Sequence, residues 1–84
     1  MKQVSRPMLS RLRVILQRLS RGERVTAGIL AKSMDVSQRT IARDLDYLAH
    51  GMEVPVLYDY QLKSYVLKGP IPSIFSIDQA SAEE

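Results

Sequence analysis

Three features of the sequence predict a mainly α-helical domain with a small β-hairpin, three helices followed by two strands. Apolar residues recur at spacings of three and four between residues 8 and 19 and again between 41 and 48, the period of a helix with one buried face. Thr26 and Ser37 each stand just before a short helical stretch, where a hydroxyl can cap free backbone N–H groups. After Gly51 the period drops to two, and Val54, Val56 and Tyr58 alternate as strand residues do.

A chain of 84 residues holds one domain with a modest core, so marginal stability or support from a partner is expected. Apolar residues make up 45%, but only five side chains are aromatic (Tyr47, Tyr58, Tyr60, Tyr65, Phe75), which describes an aliphatic core rather than a disordered chain. The absence of cysteine excludes disulfides, thiolate metal sites and thiol catalysis. No apolar run approaches a membrane span, and residues 1–6 lack the apolar core of a signal peptide. A soluble, cytoplasmic protein is expected. The net charge of +3 is unevenly spread: residues 1–50 carry ten Lys/Arg against four Asp/Glu, residues 51–84 two against five. Basic charge therefore sits with the helices, as suits a polyanionic partner.

In the first helix, residues 7 to 20, Pro7 fits the opening turn, and Met8, Leu9, Leu12, Ile15, Leu16 and Leu19 form the apolar stripe. Gly22 ends it. Arg11, Arg13, Arg18 and Arg21 lie off that stripe, either as a solvated face or with Arg11 and Arg18, seven apart and so aligned, approaching a nucleic-acid backbone.

Arg24 and Val25 read as extended and able to add a small strand to a sheet. Thr26 caps a second helix through Ala27, Ile29, Leu30, Ala31 and Met34, weakened at Gly28 by roughly 1 kcal/mol relative to alanine. Residues 34–36 form the turn. Ser37 then caps a third helix, 37 to 50, with Ile41, Leu45 and Leu48 in one apolar row, Arg39, Arg43 and Asp46 on the opposite side, and Gly51 as a left-handed stop. Two short helices joined by about three residues, the second with a polar, basic start, describe a helix-turn-helix. Small residues at Ala27, Ala31 and Ala42 would let the helices cross closely. Gln38, Arg39 and Thr40 in the first turn can reach base edges and phosphates.

The alternating stretch from residue 54 returns through Tyr65, Val66 and Leu67, giving a hairpin over residues 54–67 with Pro55 at a strand start or an edge. A hairpin directly after a recognition helix is a wing, and Tyr60, Gln61 and Lys63 are the tip residues able to touch a sugar-phosphate backbone; an ordinary solvent-exposed turn is the alternative. Beyond it, Gly69-Pro70-Ile71-Pro72 is a rigid exit, and Ser76 with Gln79 three positions on is a capping box. Residues 69–84 are expected to lead into a longer protein, or to form a short terminal helix whose Ile71, Ile74, Phe75 and Ile77 dock on this domain or on a second copy.

The run Gly22-Glu23-Arg24-Val25-Thr26-Ala27, then Leu30-Ala31, Val36-Ser37-Gln38-Arg39-Thr40-Ile41 and Arg43-Asp44-Leu45-Asp46-Tyr47-Leu48, resembles the N-terminal winged helix-turn-helix of bacterial WYL-domain and DeoR-like transcriptional regulators. The likeness extends through Val56-Leu57-Tyr58-Asp59 and Tyr65-Val66-Leu67, covering roughly residues 7 to 68. It implies sequence-specific binding of double-stranded DNA, as a homodimer on an inverted repeat. Carried over residue by residue, it puts Gln38, Arg39, Thr40 and Arg43 at base-reading positions and Thr26 and Ser37 near phosphates. Ile29 departs from the acidic residue often found there, exposing an apolar spot or loosening the second helix. Lys63-Ser64 stands in place of a glycine-rich wing turn. Any small-molecule or nucleic-acid effector would belong to a further C-terminal domain.

The chemistry left over is sparse. Arg39 and Arg43 are one turn apart; arginine bonds guanine bidentately, so Arg39 is expected to read a base and Arg43 a base or a phosphate, while a solvated pairing of Arg43 with Asp46 is the alternative. Asp46 could also fix an arginine rotamer. His50 reads as a cation at a helix C-terminus or a plain surface residue rather than a metal ligand or base. Tyr47 and Tyr58 read as packing residues with a wet hydroxyl. With no glycine-flanked serine and no phosphate-cradling glycine loop, no enzyme and no cofactor are expected. The rival to DNA binding is a winged helix used as a protein-interaction or dimerisation module.

Overall fold

The computed structural model describes residues 7–72. In chain order these form α1 (Met8–Ser20), α2 (Ala27–Met34), α3 (Gln38–Asp46) continuing as a wider π-turn over Tyr47–Gly51, then β1 (Val56–Asp59) and β2 (Ser64–Leu67). The fold is three helices plus a two-stranded antiparallel hairpin, mainly helical as expected. Residues 74–79, with the expected capping box and Ile74, Phe75 and Ile77, lie outside the described residues, whereas Ile71 packs against the core.

The second and third helices start where a side chain caps free N–H groups, whereas α1 starts after Pro7 without a side-chain cap. The Thr26 side chain accepts from the Ile29 N–H at 3.0 Å, and the Ser37 hydroxyl accepts from the Thr40 N–H at 3.1 Å. The ends follow the same logic. Gly22 takes φ +74° after α1, and Asp35, at φ 57°, makes the left-handed turn between α2 and α3. The first helix buries Leu12, Ile15, Leu16 and Leu19, but its stripe begins later than expected: Met8 is 40% and Leu9 68% exposed. The core joins those four to Val25, Leu30, Ala31, Met34, Ile41, Leu45, Leu48, Val54 and Val56.

The third helix departs from expectation at its end. Gly51 is not left-handed; the chain loosens into the π-turn, the Met52 N–H donates to the Tyr47 carbonyl, and Glu53 at φ 58° makes the reversal. A Cβ at Gly51 would lie 3.0 Å from the Tyr47 ring, a tight approach that glycine avoids. Of the three small residues expected at the crossing of α2 and α3, Ala31 is buried and Ala27 packs against the core, but Ala42 is exposed.

In the hairpin, Val56 pairs with Leu67, Leu57 with Val66, Tyr58 with Tyr65 and Asp59 with Ser64. The Asp59 carboxylate accepts from the Gln61 and Leu62 N–H groups at 2.8 and 2.9 Å, and Lys63 closes the turn at φ 54°, the conformation a glycine would adopt more cheaply. Val25 joins this sheet without becoming a third strand. Its carbonyl accepts from the Tyr65 N–H at 2.8 Å, while its N–H donates at 2.8 Å to the hydroxyl of buried Ser64. The Ser64 proton is left to choose between the Val25 and Tyr65 carbonyls.

Candidate nucleic-acid interface

The third helix presents two unlike faces. Ile41, Leu45 and Leu48 are buried, while Gln38, Arg39 and Arg43 are exposed and Thr40 is half-buried. The four expected base-reading residues therefore share the free part of one short helix. Ser37 and Thr40 are knitted together at its start, the Ser37 hydroxyl donating to Thr40 Oγ1 at 3.0 Å. Gln38 leans back toward the second helix, its Nε2 3.5 Å from the place a Cβ on Gly28 would occupy.

Ser37, Thr40 and Arg43 line one open depression together with Met8, Arg11, Val36 and Asp44. Arg11 occupies its floor, for a reason the sequence pattern concealed. Its Nε donates to Asp44 Oδ2 at 2.6 Å and its Nη2 to Oδ1 at 3.0 Å, with the arginine side chain 13% and the aspartate side chain 3% exposed. The aligned Arg11 and Arg18 expected on one outward face are thus not equivalent. Two Arg11 donors point inward to a carboxylate, because Asp44 flanks the apolar row and a buried carboxylate requires a partner. These hydrogen bonds raise the guanidinium pKa, burial opposes them and the carboxylate's charge adds to the rise.

The other acidic residue of the helix is also engaged. Asp46 Oδ1 lies 2.9 Å from His50 Nδ1, an exposed i,i+4 pair, rather than holding an arginine. Sequence reasoning overlooked this carboxylate one turn before His50. The described residues contain no group of three or more His, Asp or Glu placed to hold a metal ion.

At the hairpin, Tyr60 is 82% exposed and Gln61 and Lys63 are also exposed at the tip. Tyr58 packs edge-on against both Tyr60 and Tyr65, with ring centroids 4.8 and 5.0 Å apart. Arg24, which the sequence pattern did not single out, reaches this tip and donates to the Lys63 carbonyl at 3.3 Å. A second cation therefore stands beside Lys63. Thr26 and Ser37 occupy the two helix starts as caps, and Arg18 is half-buried on the first helix.

The capped helix pair joined by a left-handed residue lies within residues 11–57, which the family model for the HTH (helix-turn-helix) domain matches. The chain belongs to the HTH domain family. The match begins at Arg11 and ends at Leu57, so it takes in α1 from Arg11 onward, all of α2 and α3, and the Arg11–Asp44 pair, and the HTH domain supports DNA as the partner. No curated protein and no solved structure matches the chain. Among the described residues, no helix of this HTH domain is long and apolar enough to cross a membrane.

Proposed function

We propose that this HTH domain is the sequence-specific double-stranded DNA reader of a cytoplasmic, WYL-type or DeoR-like transcriptional regulator, binding as a homodimer to an inverted repeat. The observation that carries the reading is the pair Arg39 and Arg43, exposed one turn apart on a helix whose opposite face is locked in the core. In this reading Arg39 bonds a guanine edge, Gln38 and Thr40 contact neighbouring base edges, and Arg43 serves a base or the flanking phosphate. Thr26, Ser37, Arg18, Tyr60 and Lys63 face the backbone, with Arg24 adding charge beside the hairpin tip, which then serves as the wing.

The test is selection from a randomised duplex pool at two salt concentrations, followed by anisotropy titration of the enriched sequence. A two-fold symmetric motif that survives the higher salt supports a dimeric sequence reader. Absence of enrichment refutes it.

A second reading has its own support. Leu57, Tyr60 and Leu62 on the hairpin are 56%, 82% and 62% exposed, apolar groups that a protein partner could cover. Salt separates the two, because DNA binding falls steeply as released counterions are matched by added salt, whereas an apolar protein contact does not weaken.

A further inference from the structure

We propose that Arg11 and Asp44 are positioning residues that fix the rotation of α3 about its own axis and thereby the aim of Arg39 and Arg43. The inference rests on the DNA-reading role given to α3 above. Ile41, Leu45 and Leu48 hold that helix to the core by burial, which is strong but non-directional. An apolar row resists separation and tolerates a small roll. Asp44, 2% exposed, follows Ile41 by three residues and precedes Leu45, so it stands at the edge of the row, on the side where Thr40 and Arg43 line the open depression.

A planar guanidinium bonded to both oxygens of one carboxylate, at 2.6 and 3.0 Å, is directional in a way the row is not. Its other end is fixed too. Arg11 sits on α1 next to Leu12 and one turn before Ile15, both buried. Side chains reach ~5–6 Å from a helix axis, so a roll of ~10° carries a head group ~1 Å, beyond the ~0.5 Å that a productive constellation allows. The pair is placed where it suppresses that roll.

The 84-residue chain carrying both Arg11→Met and Asp44→Leu tests this, because apolar replacement of a buried ion pair commonly leaves stability unchanged or improved. Affinity is measured on the duplex selected by the natural sequence and on random duplex, alongside thermal unfolding. The selected-over-random ratio is expected to fall about tenfold or more, as when one base-reading arginine is lost, with the unfolding midpoint maintained. Arg11→Lys keeps the charge without the fork and should fall between.

Residual dipolar couplings of α3 amides relative to α1, measured without DNA, supply an independent arm and should change in the double variant. An unchanged ratio overturns the inference, as does an equal loss on both duplexes, which would make Arg11 a phosphate contact. If the double variant unfolds, a natural ratio in Arg11→Lys overturns it instead. If the natural sequence discriminates no duplex, the DNA-reading proposal fails by itself, and unchanged couplings then overturn the positioning role as well.

Discussion

Arg11 and Asp44, 33 residues apart, are joined by two hydrogen bonds of 2.6 and 3.0 Å that tie the first helix to the third. The sequence separation gives the contact its weight. It joins two helices whose other buried residues are aliphatic, and it satisfies a carboxylate lodged next to Ile41 and Leu45.

Removing one member of that pair should damage stability severely. Asp44→Ala leaves a largely buried guanidinium without its carboxylate, and a loss of ~3–5 kcal/mol is expected from a total of ~5–15 kcal/mol. Urea unfolding followed by circular dichroism measures it; a loss below ~1 kcal/mol would mean the pair acts as a surface bridge. The sign of the pH dependence follows from the raised Arg11 pKa. A cation whose folded pKa is raised contributes fully below its unfolded value and loses that contribution only as pH climbs through the folded one. Both lie in strong alkali, so titration of Arg11 should leave the urea midpoint unchanged around neutrality.

The two kinds of DNA contact should fail differently. Arg39→Ala is expected to weaken the selected duplex by ~1–3 kcal/mol and to relax preference at one base pair. Lys63→Ala should instead weaken all sequences alike and reduce the salt slope by about one. Titrations of both variants on selected and random duplex check the contrast, and an equal loss on both for Arg39→Ala would remove its base-reading role.

At the hairpin tip, stability and binding should move in opposite directions. Lys63 holds φ 54° without being glycine, so Lys63→Gly should stabilise the domain by ~0.5–1 kcal/mol while losing a cation from the tip. Thermal melts compared with Lys63→Ala, which keeps the strained conformation, isolate the backbone part. No gain in Lys63→Gly over Lys63→Ala would show that the turn carries no such strain.

Gly28 offers a stabilising change at the helix crossing. Its φ lies in the ordinary range, and an added Cβ would sit 3.5 Å from Gln38 Nε2, an ordinary contact. Gly28→Ala should therefore raise stability by up to ~1 kcal/mol, read from the unfolding midpoint. A fall would mean that Gln38 is displaced.

The helix starts were legible because capping is local: Thr26 and Ser37 act on N–H groups three residues away, within the same stretch of sequence. So were the apolar rows of α1 and α3 and the switch to period two at the hairpin. Other features were hidden for a physical reason. The π-turn over Tyr47–Gly51, with Leu48 buried inside it, shifts the hydrogen bonds from the i−4 to the i−5 carbonyl without changing the apolar spacing that marks the helix. The role of Arg24 beside Lys63 depends on the hairpin folding back across the chain before the second helix.

The sequence by itself determined the order of the helices and strands, the caps that start α2 and α3, and which helix carries Gln38, Arg39, Thr40 and Arg43. Those are decided by forces acting within one turn or one strand pair. Only the tertiary structure decided which charges face outward. Arg11 and Arg18 have the same residue type and share a helix face, and yet Arg11 turns inward because a carboxylate 33 residues later lies within bonding distance of it. A buried charge takes its meaning from what the fold brings beside it.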